Sequence, residues 1–187
     1  MTDSIKEKFY TTMRPELMKS LNLKNIERTP KILKVVVSSG VGKFKEDDKT
    51  IEKIKKDLSL ICGQTAKINK SRKAVSAFKL RIGQPVGLTT TLRDVKMYDF
   101  IYKLVNVALP RVRDFKGLSR SGFDTQGNYS IGLREHTIMP EIKFEDVTEV
   151  FGLQVNIHTN AKDKNECEAL LKALGFPFEK QEGVNNG

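Results

Sequence analysis

The sequence predicts an α+β fold, an antiparallel β-sheet with flanking α-helices. Segments that alternate every two residues and segments with 3–4 apolar spacing follow one another in mixed order, not as a regular βαβ repeat. The chain has 187 residues, 39% hydrophobic and 30% charged, enough for one domain with a substantial core. The strand-like segments set apolar residues against hydroxyls, amides and cations, the pattern of an open sheet with one packed face.

In order, Ile5, Phe9, Met13, Leu17 and Leu21 fall at four-residue steps and predict an amphipathic helix over 5–21, although Pro15 would normally end or kink it. Lys31 to Val37 is apolar and β-branched enough for a strand. Ile51, Ile54, Leu58 and Ile61 predict a helix over 48–61, with an Asp at its start and Gly63 as its stop. Thr65–Asn69 and Pro85–Arg93 read as strands around a basic excursion, about 70–84. In the second, Val86, Leu88, Thr90 and Leu92 point one way, and Gly87, Thr89, Thr91 and Arg93 the other.

Met97–Leu109 predicts a further helix, with Pro110 blurring its end. Arg111–Asn128 reads as a glycine-dotted loop. Tyr129–Arg134 and Leu153–Thr159 alternate again, and Asp163–Leu174 predicts the closing helix. Residues 1–180 are expected to form a single domain, with 181–187 as a flexible tail and fraying from Glu179.

Charge is the strongest functional signal. Between Gln64 and Arg93 stand seven cations (Lys67, Lys70, Arg72, Lys73, Lys79, Arg81 and Arg93) and no Asp or Glu, against a net +10 for the chain. A surface chosen only for solubility would mix signs, so a polyanion is the expected compensation. The outward strand positions Thr65, Lys67, Asn69, Thr89, Thr91, Arg93, Ser130, Arg134, Gln154, Asn156 and His158 also lack an acid. Such groups can donate to phosphate and ribose, so this face is expected to receive structured RNA.

Other classes find little support. No run of about 18 apolar residues could span a bilayer, and no signal core or transit pattern opens the chain. Cys62 and Cys167 lack metal spacing and read as reduced thiols of a cytosolic protein. Ser39-Gly40-Val41-Gly42-Lys43 tempts towards a phosphate loop, but Val37 and Phe44 stand where that motif needs Gly and Ser or Thr. Its glycines are expected to serve a positive-φ turn or a close backbone approach. His136 and His158 are too isolated to ligate a metal and are expected at surface or half-buried positions. No catalytic residue, cofactor or metal is expected. Within 70–84, Ser71–Lys79 could form a short helix or stay mobile until RNA orders it. Phe78 could be a base-stacking platform, although core packing is its expected role.

Several blocks resemble the bacterial-type ribosomal protein L5 family: ICGQ at 61–64, KSRKAVSAFKLRIG at 70–83, PVG at 85–87, PRVRDFKGL at 110–118, FDTQGNYSIGLRE at 123–135, MPEI at 139–142 and LLKALGFPF at 170–178. The likeness is collinear from about Ile5 to Lys180. It implies a cytoplasmic, ribosome-associated protein of the large subunit that binds 5S rRNA in the central protuberance, and no enzyme activity. It also implies 23S-type rRNA, neighbouring large-subunit proteins, P-site tRNA and a small-subunit head protein at an intersubunit bridge as partners. The family's 5S contacts carry over to Gln64 and Thr91, and to Ser38, where the family usually has Asn; serine has fewer hydrogen-bonding groups than an amide. Lys67 and Arg93 join this set from the outward strand positions. Arg72, Lys73, Lys79 and Arg81 occupy the loop implied for tRNA. The rival reading is a basic adaptor for an acidic protein or an anionic membrane, supported by the amphipathic first helix.

Overall fold

A computed structural model describes residues 5–143, 145, 147 and 149–179. Five antiparallel strands, β1 (Ile32–Gly40), β2 (Lys67–Lys70), β3 (Pro85–Leu92), β4 (Tyr129–Leu133) and β5 (Leu153–Thr159), form one sheet in the order β2-β3-β1-β5-β4. Val35, Val37, Leu88, Leu92, Ile131, Leu133, Val155 and Ile157 point to one face and are buried. They meet buried residues of α3 (Asp48–Cys62), α4 (Asp94–Lys103) and α5 (Lys164–Ala173) in one hydrophobic cluster. The helices thus cover a single face of the sheet. This confirms the α+β class and the open antiparallel sheet.

Local chemistry explains the helix ends. Asp47, one residue before the predicted start, caps α3 by accepting from the backbone N–H groups of Lys49 and Thr50. Gly63 ends the helix with φ 62°, a left-handed conformation that glycine adopts without steric cost. Lys96 and Lys103 of α4 donate to the last-turn carbonyls of Gly63 and Ile61. Asp163 caps α5 through the N–H of Glu166.

Two proline-containing helices depart from the sequence reading in the same way. The first runs as α1 (Ile5–Lys8), a π-turn (Phe9–Met13) and α2 (Arg14–Ser20), with the Arg14 N–H reaching Phe9 O. After α4, residues Leu104–Ala108 form a π-turn, the Leu109 N–H bonds Leu104 O, and a 3₁₀ turn follows over Leu109–Arg111. Proline lacks an N–H and its ring crowds the carbonyl four residues back; widening the preceding turn relieves that crowding without breaking the helix. Phe9 and Leu17 are buried, with Phe9 against Tyr98, so the fold itself uses the apolar stripe that supported the adaptor reading.

Three other expectations are corrected. Gly40 lies within β1 opposite Gly87, and neither Gly40 nor Gly42 has positive φ or a close neighbour. Glu179 is docked, not frayed: its N–H bonds Leu118 O, and Leu118 N–H bonds Pro177 O. The expected tail 181–187 lies outside the described residues. His136 is fully buried and stacked on Phe151 with ring centroids 3.8 Å apart.

Burial lowers the His136 pKa from its ordinary 6.5, and the Asp57 carboxylate only partly offsets this. Its Nδ1 accepts from the Phe151 N–H, which suits a neutral ring. The unfolded chain therefore binds a proton that the fold resists. Stability from this group is fully present above about pH 6.5 and is lost as pH falls below it, at up to about 1.4 kcal/mol per pH unit until the folded-state pKa is reached. Urea midpoints measured between about pH 5 and 8 should show the decline in the parent and a flatter profile in His136→Gln. Parallel profiles would exclude His136 as the source.

Candidate nucleic-acid interface

Register defines the open face. Directly paired residues share a face of the sheet, so Lys67, Thr89, Ser38, Gln154 and Gly132 form one row across all five strands. The next row runs Thr91, Val36, Asn156, Ser130, and Lys34 pairs with His158 beyond it. No carboxylate occurs in these rows. β1 is absent from the outward positions pooled from sequence, yet it supplies the middle of the face. Its Val35-Val36-Val37-Ser38-Ser39 run does not alternate in polarity, so only pairing reveals which side each residue takes. Ser39 turns inward and donates to Gly152 O at 2.8 Å, leaving Ser38 on the open side.

The 5S candidates fall close together on this framework. Ser38, Lys67 and Thr91 are on the face itself. Gln64, beyond the C-cap of α3, donates from Nε2 to Thr91 O at 3.1 Å and is thereby tied to the sheet. Arg93 follows β3 in extended conformation, exposed, as the N-cap residue of α4. Asn69 donates to Thr89 Oγ1 at 3.2 Å, aligning two polar side chains across β2 and β3. Around the edge from Gln64 and Thr65, an open cleft of about 830 Å³ is lined by Lys55, Lys56, Lys96 and Leu60, with Glu52 its one acid. Burial lowers the His158 pKa, and Lys34 adds to this, so the ring is neutral near pH 7. The field of the face comes from Lys and Arg.

Arg72, Lys73, Lys79 and Arg81 lie at the far end of the β2–β3 pair, roughly 23 Å along β3 from Leu92 at ~3.3 Å per residue. The excursion does not form the short helix that is one of its two expected forms. Ser71 N–H bonds Gln84 O, Gly83 N–H bonds Ser71 O, and Val75 and Leu80 exchange both backbone bonds. The result is a hairpin extension with one 3₁₀ turn, Ser76–Phe78. Phe78 is 76% exposed, so the expected core role fails. Lys45, which precedes the acid-free stretch and was missed from sequence, donates to Phe78 O at 2.8 Å and Lys79 O at 2.7 Å. No sequence signal marks a contact across that separation.

Where the chain's acids meet cations is equally informative. Arg14–Glu27, Arg28–Glu166, Lys103–Glu141, Arg120–Glu168 and Lys172–Glu168 pair away from the open face, and Lys6–Asp94 joins α1 to α4. Among the described residues, none of the seven cations between Gln64 and Arg93 forms an ion pair. Their charge is not neutralised within the fold.

Among the described residues, no group of three or more His, Cys, Asp or Glu could hold a metal ion. Cys62 and Cys167 are buried and unbridged, and burial pushes both thiols up to about 12, far from the thiolate form at neutral pH. No helix among the described residues is long and apolar enough to cross a membrane.

Comparison with known proteins agrees with this picture. A family model described as "Ribosomal protein L5" matches residues 25–81, and a second, which describes the C-terminus of the same ribosomal family, matches 85–178. Among curated relatives named "Large ribosomal subunit protein uL5", that of Prochlorococcus marinus is 45% identical over 175 residues, covering 94% of this chain and 98% of the relative. The Thermus aquaticus protein is 46% identical over 177 residues, 95% and 97% of the two chains. That of Syntrophotalea carbinolica is 47% identical over 177 residues, 95% and 96%. The chain belongs to the ribosomal protein L5 family, and is accordingly a structural constituent of the large ribosomal subunit and not an enzyme.

Proposed function

We propose that the open face binds 5S rRNA through Ser38, Gln64, Lys67, Thr91 and Arg93, and that Arg72, Lys73, Lys79 and Arg81 on the hairpin reach P-site tRNA. One observation supports this most: five paired strands align hydroxyls, amides and cations with no acid, beside cations that the fold leaves unpaired. Phosphate contacts position such a protein, while hydroxyl and amide groups meet ribose and base edges. The two family models meet inside the hairpin, yet β2 and β3 pair across that boundary. We therefore read 1–180 as one RNA-binding domain of the central protuberance. Its remaining surface would face 23S-type rRNA, neighbouring large-subunit proteins and a small-subunit head protein at a bridge.

A gel-shift series at several salt concentrations tests the first part. The logarithm of 5S rRNA affinity should fall linearly with log salt. Lys67→Gln with Arg93→Gln should flatten the slope by roughly 0.7–0.9 for each lost phosphate contact. Binding that is absent, or indifferent to salt, would reject the 5S assignment.

A further inference from the structure

The hairpin tip presents a feature that charge does not explain. Phe78 and Ile82 are 76% and 71% exposed, although a folded monomer gains stability by burying such side chains. The backbone that carries the ring is nonetheless firmly tied. The Phe78 N–H bonds Val75 O at 3.2 Å, and the Val75–Leu80 exchange closes the tip with bonds of 2.9 and 3.0 Å. Lys79 adopts φ 48°, a left-handed conformation that is uncommon for a residue with a Cβ. Lys45 clasps the carbonyls of Phe78 and Lys79 from the segment between β1 and α3. An aromatic plane held outward in this way is preorganised, so a partner would bind it with little ordering cost.

The surroundings select the partner. Arg72, Lys73, Lys79 and Arg81 flank the ring on a stretch without an acid, and the hairpin continues into the polar face of β2 and β3. A partner that offers a flat π-face next to fixed negative charges satisfies both features, and a nucleobase on its phosphate backbone is that partner. An anionic lipid surface would accept Phe78 and Ile82 but would make no use of the Asn69–Thr89 and Gln64–Thr91 arrangements behind them.

We propose that Phe78 is a stacking platform for an unstacked or helix-terminal base of the RNA reached by the hairpin, and that Lys45 presets its orientation. This rests on the reading that the hairpin faces RNA. The contact adds an apolar, salt-independent component to an otherwise electrostatic one.

The chain contains no tryptophan, so Phe78→Trp places a single indole reporter at the tip. With the full-length protein and a tRNA transcript at low salt, Phe78→Leu should weaken binding about tenfold without changing the log–log salt slope. Phe78→Trp should keep the affinity, with indole fluorescence quenched on binding. In that background, Lys45→Met should lower the indole anisotropy of the free protein and weaken binding, and Lys45→Arg should restore both. Parental affinity in Phe78→Leu, with binding weakened by Arg72→Gln and Lys73→Gln together, would sink the stacking contact and leave the hairpin–RNA reading standing. If the double charge variant also bound tRNA as the parent does, that reading would fail and stacking with it. An indole blue shift on phosphatidylglycerol vesicles, without quenching by tRNA, would overturn the proposal in favour of lipid.

Discussion

Thr91→Glu is expected to lower affinity for 5S rRNA by about thirty- to a hundredfold while leaving the unfolding midpoint nearly unchanged. Thr91 is exposed, one register step from the Lys67–Thr89–Ser38 row, and its carbonyl holds the Gln64 amide. A carboxylate there would stand in an acid-free field facing phosphates. Like charges about 4 Å apart repel by ~1 kcal/mol in bulk water and by ~4 kcal/mol at an effective dielectric of 20. A partly desolvated interface lies between these limits, hence the expected factor. The fold should tolerate the change, because no buried contact is lost and surface substitutions usually shift stability by about 0.5 kcal/mol or less. Thr91→Val, which removes only the hydroxyl, should weaken binding by less. Gel shift and thermal unfolding on the same preparations separate the effects. Parental affinity in the Glu variant would move the 5S site off this face.

Gly117→Ala should destabilise the protein by about 3 kcal/mol, through backbone strain together with a steric clash. Gly117 has φ 121°, a region that L side chains rarely adopt, and an added Cβ would stand 2.6 Å from the Glu179 nitrogen. That nitrogen belongs to the strap that bonds Leu118 and carries Phe178 onto Phe123 and Tyr129, with ring centroids 5.4 and 5.5 Å apart. To admit the methyl, the strap must shift and the aromatic cluster must repack. Gly132 provides the control, since a Cβ there meets nothing within 4 Å and its φ is not positive. Urea denaturation of both alanine variants should show a large drop in midpoint for position 117 and little change for 132. Equal midpoints would mean that the strap yields freely.

What could be read from the chain follows from the range of the forces involved. Alternation in Leu153–Thr159 reports its packed face directly, because neighbouring side chains of a strand point to opposite sides. The central strand was opaque because three valines in succession look alike from either side. Phe78 misled because residue type predicts burial on average, whereas hairpin geometry carried this ring away from any core. His136 misled for the opposite reason: Glu135 and Thr137 suggest an exposed segment, and its burial comes from Phe151, fifteen positions on. Pro15 and Pro110 marked real disturbances, and the π-turns absorbed them inside continuing helices.

The order of residues alone determined the α+β class, the acid-free basic stretch and the family likeness, since periodicity, net charge and motif order need no third dimension. Only tertiary structure decided that Ser38 joins Lys67 and Thr91 on their face, that Gln64 is tied to it and that Lys45 braces the tip. Strand register and contacts between distant segments set those relations, and both arise when the core excludes water and the backbone pairs its donors and acceptors.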